Sequence, residues 1–110
     1  MTDSTTRSPS STERVSLETL EGEPHARVFE GEPKTVRLTL AEGQQVPAHA
    51  HPGRQVVFHV LEGRMTVTVG EDRHELRAGE LLRFDGEREV SPKALERSVA
   101  IVVLAQNATE

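Results

Sequence analysis

The chain has 110 residues and a formal net charge of −5, from 18 acidic and 13 basic side chains. That length supplies material for one core, and the acidic balance disfavours a phosphate-backbone binder, which needs a basic face. Cysteine, tryptophan and tyrosine are absent and phenylalanine occurs only at Phe29, Phe58 and Phe84, which excludes disulfides, thiolate metal sites and a cysteine nucleophile, and argues against a nucleic-acid module of stacked aromatics.

Residues 1–14 (MTDSTTRSPSSTER) hold no apolar side chain after Met1. They read as a disordered tail, without the apolar stretch of a signal peptide. The longest apolar run, 99–105, is far short of a membrane span. The expected setting is cytoplasmic, with no membrane or nucleic-acid partner.

From residue 15 to 110 the pattern predicts one all-β domain. Glycines at 22, 31, 43, 53, 63, 70, 79 and 86 and prolines at 24, 33, 47, 52 and 92 punctuate the chain at strand-plus-turn intervals. Residues 35–40 alternate Val36, Leu38 and Leu40 with polar neighbours, the mark of a strand with one wet face. Residues 56–61 (VVFHVL) are apolar on both faces. A tight turn at Glu62 and Gly63 leads into 64–69, where Met65, Val67 and Val69 alternate with Arg64, Thr66 and Thr68. Residues 70–72 form the next hairpin turn, and 77–80 turn the chain again before a strand at 81–84. The last strand, 99–105 (VAIVVLA), is again apolar on both faces. Such strands need cover on both sides. A second copy of the chain is one source of cover, so a homodimer is expected; a terminal segment is the other.

Of five histidines, His49 and His51 stand apart, in the stretch PAHAHPG. Positions i and i+2 of a strand share a face, so two imidazoles can converge on one metal ion or on a polar ligand. Gly43 precedes the pair by six residues and Gly63 closes the following strand and turn. This stretch resembles the first motif of the cupin superfamily, G-x5-H-x-H-x(3,4)-E-x6-G, and LRAGELLRF at 76–84 resembles the opening of the second. The resemblance spans about residues 35–104. It implies an antiparallel jelly-roll, or double-stranded β-helix barrel, that holds a small molecule or a metal in its mouth.

The resemblance also implies a metal set of three histidines and a glutamate. His49 and His51 match the first two. The positions of the other two are Val56 and Val90, which cannot coordinate. A one-residue shift at each strand, through β-bulges, substitutes Gln55 and Glu89, giving a set for one divalent transition metal ion in which His49, His51 and Glu89 form a two-histidine, one-carboxylate triad. The unshifted register instead puts Val56, Phe58 and Val60 on the inner face, and leaves either a weak two-histidine metal site completed by water or a metal-free pocket in which the histidines meet a polar ligand directly.

The other polar candidates are plainer. His59 lies opposite Val56, Phe58 and Val60, on the outer sheet face; His25 and His74 lie near turns beside Glu23 and Glu75 and read as solvated. Arg54, Arg64, Arg83 and Arg88 are candidate arms for a carboxylate or phosphate ligand, Arg54 foremost because it follows the histidine pair. No serine has a base at recognisable spacing and no glycine-rich phosphate loop is present, so no catalytic residue is assigned. The expected function is small-molecule or divalent-metal binding inside the barrel. The alternatives are a metal-dependent enzyme of dioxygenase or isomerase type and a dimeric regulatory or sensor module.

Overall fold

A computed structural model describes residues 12–107. Residues 1–11 of the expected tail lie outside this range, and 12–14 carry no regular structure. The regular elements described are strands: β1 (His25–Arg27), β2 (Lys34–Leu40), β3 (Arg54–Glu62), β4 (Arg64–Val69), β5 (Asp72–Arg77), β6 (Leu81–Asp85), β7 (Val90–Ala94) and β8 (Ser98–Gln106). They form two antiparallel sheets, ordered β1-β2-β8-β3-β6 and β5-β4-β7. The all-β, antiparallel jelly-roll architecture expected from the sequence is the one observed.

Alternation sets the inner rows. Leu38 and Leu40 of β2, Val56, Phe58 and Val60 of β3, and Ala100 of β8 join Met65, Val67 and Val69 of β4 and Val90 and Ala94 of β7 in one buried cluster. Registers across the large sheet keep these rows aligned: Val56 lies opposite Phe84 and Leu104, and Phe58 opposite Leu82 and Val102. Each such aliphatic side chain contributes about 1.5–3 kcal/mol when removed from water.

Two departures from simple alternation have local causes. The β3–β4 turn forces Gly63 to φ +84°, and a Cβ there would collide with the Arg97 carbonyl oxygen and Ser98. Ser98 is fully buried and accepts the Arg64 N–H at 3.0 Å, with its hydroxyl 2.7 Å from the Glu96 carbonyl oxygen. Pro92, a breaker by composition, sits inside β7. It is tolerated because β7 is the edge of the three-stranded sheet, and its carbonyl accepts the Val46 N–H at 2.9 Å.

The outer face of the large sheet is covered unevenly. On β2 the outward side chains Thr35, Arg37 and Thr39 are buried. The preceding segment is tied there: the Arg37 guanidinium donates to the carbonyls of Leu17, Leu20 and Gly22 at 2.8, 3.1 and 3.2 Å, and the Thr39 N–H donates to the Pro24 carbonyl. On β3 and β8 the outward Val57, His59, Val99, Ile101 and Val103 are only half-buried, and Leu81 beside them is 58% exposed.

Candidate functional site

The two sheets enclose a cavity of about 340 Å³. Its walls follow from the inner rows: Val36 and Leu38 of β2, Val56 and Phe58 of β3, Phe84 of β6, Val90 and Pro92 of β7, and Val102 and Leu104 of β8. Its polar lining comes from three places. His25 and Arg27 project from the same face of β1, Lys34 opens β2, and His49 and His51 come from the segment between β2 and β3. No aspartate or glutamate among the described residues lines it.

His49 is held by its backbone and its ring. Its N–H donates to the Val90 carbonyl at 3.2 Å and its carbonyl accepts the Val90 N–H at 2.8 Å. Nδ1 lies 2.9 Å from the Pro47 carbonyl oxygen. A carbonyl only accepts, so Nδ1 carries the proton and Nε2 of the neutral ring is left as the acceptor. His51 is fixed through its main chain, donating its N–H to Gly86 at 2.7 Å and accepting from Arg54 at 3.2 Å. The two rings meet edge to face, centroids 4.6 Å apart. Burial lowers the His51 pKa from its ordinary 6.5, and the positive charges of His49, Lys34, Arg54 and His25 lower it further. His25 is shifted the same way, by burial and then by His49.

The structure separates the expected ligands. His49 and His51 share the cavity with Val56 and Val90, which are 1% and 4% exposed. Gln55 and Glu89 do not line it. The pairing of β3 with β6 runs without a break through Gln55 opposite Asp85 and Val56 opposite Phe84, and the irregularity in β3 falls between Val60 and Glu62 instead. The shift that would turn Gln55 inward is therefore not made, and β7 begins with Val90 in register against Val69.

Of the arginines singled out by sequence, none lines the cavity. Arg54 is bound by Glu32 through two nitrogens, at 2.7 and 3.2 Å, and by the Leu104 carbonyl at 2.8 Å. Arg64 pairs with Glu75 at 2.7 Å and Arg88 with Asp72 at 3.2 Å; Arg83 is exposed on the strand face opposite Phe84. His59 faces outward as expected, and His74 is half-buried opposite Val67, outside the cavity. The cavity residues that sequence reasoning missed are His25, Arg27 and Lys34. Only the pairing of β1 with β2, His25 opposite Leu38 and Arg27 opposite Val36, brings the first two there.

A family model described as a cupin domain matches residues 36–103. The chain belongs to the cupin family. Solved structures agree with it in fold. KdgF from Halomonas sp. has a TM-score of 0.75 at 15% identity, over 89% of this chain and 96% of that one. An RmlC-like cupin from Shewanella frigidimarina has a TM-score of 0.73 at 21% identity, over 87% and 93%. An HTH_3 family transcriptional regulator from Vibrio cholerae has a TM-score of 0.66 at 28% identity, over 76% of this chain but 51% of the regulator. No curated protein matches the sequence. Among the described residues no helix is long and apolar enough to cross a membrane.

The donors of this cupin do not fit the usual metal set of the family. Among the described residues no group of three or more His, Asp or Glu side chains is arranged to hold a metal ion. Aliphatic valines occupy the two positions from which further ligands would come, and a valine offers no electron pair.

Proposed function

We propose that this cupin binds a small organic molecule directly in its barrel, with no metal ion between ligand and protein. One observation carries the reading: Val56 and Val90 line the same cavity as His49 and His51. Three imidazoles, a lysine and an arginine beside an apolar wall of valine, leucine and phenylalanine suit a ligand that is mostly hydrocarbon with one polar end. The volume sets its size. At about 340 Å³ the cavity lies at the lower end of the range for small-molecule sites. The test is metal analysis and ligand screening on protein purified without a polyhistidine tag. Near-stoichiometric transition metal that disappears in a His49→Ala/His51→Ala variant would favour the metal-dependent enzyme instead. Absence of metal, with small ligands perturbing the cavity resonances, supports direct binding.

A second reading, a dimeric binding or sensor module, is favoured by the half-buried apolar row Val57, Val99, Ile101 and Val103 beside the exposed Leu81. A row of this kind suits a second copy of the same sheet. The likeness to the Vibrio cholerae regulator lends support to the sensor class. Light scattering at micromolar concentration tests it: a dimer mass supports the reading and a monomer mass overturns it.

A further inference from the structure

We infer that the ligand is a monocarboxylate, its anionic head seated against Lys34 and its apolar body along Val56, Phe58 and Leu104. The inference rests on the direct-binding reading and goes beyond it by assigning a charge and a contact to the ligand's polar end.

The first support is the segregation of charge. The chain as a whole is acidic, with 18 carboxylate side chains, yet not one lines the cavity, whereas a lysine, an arginine and three histidines do. The chain has only two lysines, Lys34 and Lys93, and one of them is in this lining.

The second support is the state of the nearby carboxylate. Glu32, two residues before Lys34, has both oxygens engaged by Arg54. That pairing, with the Lys34 backbone N–H donating to Oε1 at 3.3 Å, holds its carboxyl below the ordinary range. Lys34 makes no ion pair among the described residues, although its side chain is partly withdrawn from water. An ammonium at the edge of an apolar cavity is stabilised most by an anion that also excludes water from the site. Arg27, by contrast, is already oriented by the carbonyls of Phe29 and Glu30, each at 3.0 Å, and shapes the field without being the ligand's direct partner.

The walls narrow the class. A phosphate or polyanion needs several converging donors, whereas here the Arg27 guanidinium is engaged by the Phe29 and Glu30 carbonyls and Lys34 is left as the cation beside imidazoles and hydrocarbon walls. One carboxylate on a compact apolar body matches both halves.

The test uses the full chain and matched probes, 3-phenylpropanoate against 3-phenylpropanamide and octanoate against octanamide, titrated by protein NMR. The carboxylates are expected to bind at least tenfold more tightly than their amides. That preference is expected to vanish in Lys34→Met and Lys34→Gln and to persist in Lys93→Met, which changes net charge equally at an exposed site. Amides binding as tightly as carboxylates would overturn the anion inference and leave direct binding standing. Failure of both series to perturb the cavity would overturn both. A preference that survives in both Lys34 variants, shown folded by their spectra, would overturn the role of Lys34.

Discussion

His49 and Val90 form a closed backbone pair, each donating its N–H to the other's carbonyl, at 3.2 and 2.8 Å. Directly opposed residues in such an antiparallel pair project to the same side. The pair thus sets an imidazole beside an isopropyl group in one cavity, in a register that the β4–β7 ladder and the Val46 N–H bond to Pro92 also hold.

That register makes the missing ligands replaceable. A Val56→Glu/Val90→His variant is expected to gain a four-ligand metal site with His49 and His51. Without metal it should melt below the native protein, because a carboxylate is placed where Val56 is 1% exposed. At a hundredfold excess of metal over its Kd, about 2.7 kcal/mol should be recovered. Melting curves with and without zinc check this; a variant indifferent to zinc would mean that positions 56 and 90 do not converge on the histidines.

The histidines give stability a direction with pH. His25 and His51 have pKa values below their ordinary 6.5, through burial and neighbouring positive charge. The unfolded chain therefore takes up protons first on acidification, and their contribution is full above about pH 6.5 and lost as pH falls below it. Urea midpoints should drop between pH 7.5 and pH 5.5, and the drop should shrink in a His25→Asn/His51→Asn variant.

Arg37 is the tie between the segment before β1 and the sheet. Arg37→Leu removes three charge-assisted hydrogen bonds to carbonyls at Leu17, Leu20 and Gly22, an expected loss of about 2–3 kcal/mol. Faster proteolysis within residues 12–24 should accompany it. Unchanged protection would show that the segment is held by its apolar side chains instead.

The β3–β4 turn tolerates no side chain. Gly63→Ala combines a positive φ with a collision against Arg97 and Ser98, and is expected to cost about 2–4 kcal/mol. Gly43→Ala, also at positive φ but with open space around it, should cost less. Denaturant midpoints of the two variants check the order.

Much of the fold was legible because period-two alternation survives in β2, β3 and β4, where Val36, Leu38, Val56, Phe58, Met65 and Val67 line one interior. The histidine pair was legible from its spacing, but the strand expected to carry it is not formed: His49 makes an isolated bridge to Val90 and His51 lies in the irregular segment before β3. The rest depended on long-range pairing that carries no local signal. β1 is three residues long with one buried side chain, too short to show a period, so His25 read as a solvated neighbour of Glu23 rather than as part of the lining. Arg54 read as a ligand arm because nothing local reveals that Glu32, 22 residues away, takes its guanidinium. The Gln55 and Glu89 alternative required shifts that the ladder at Val56 and Val90 does not make.

The central claim is direct binding by a metal-free cavity, and the affinity of 3-phenylpropanoate for untagged protein dialysed against chelator tests it most directly. The account predicts saturable binding that is unchanged when zinc or nickel is restored. Binding that appears only after metal is added would contradict it.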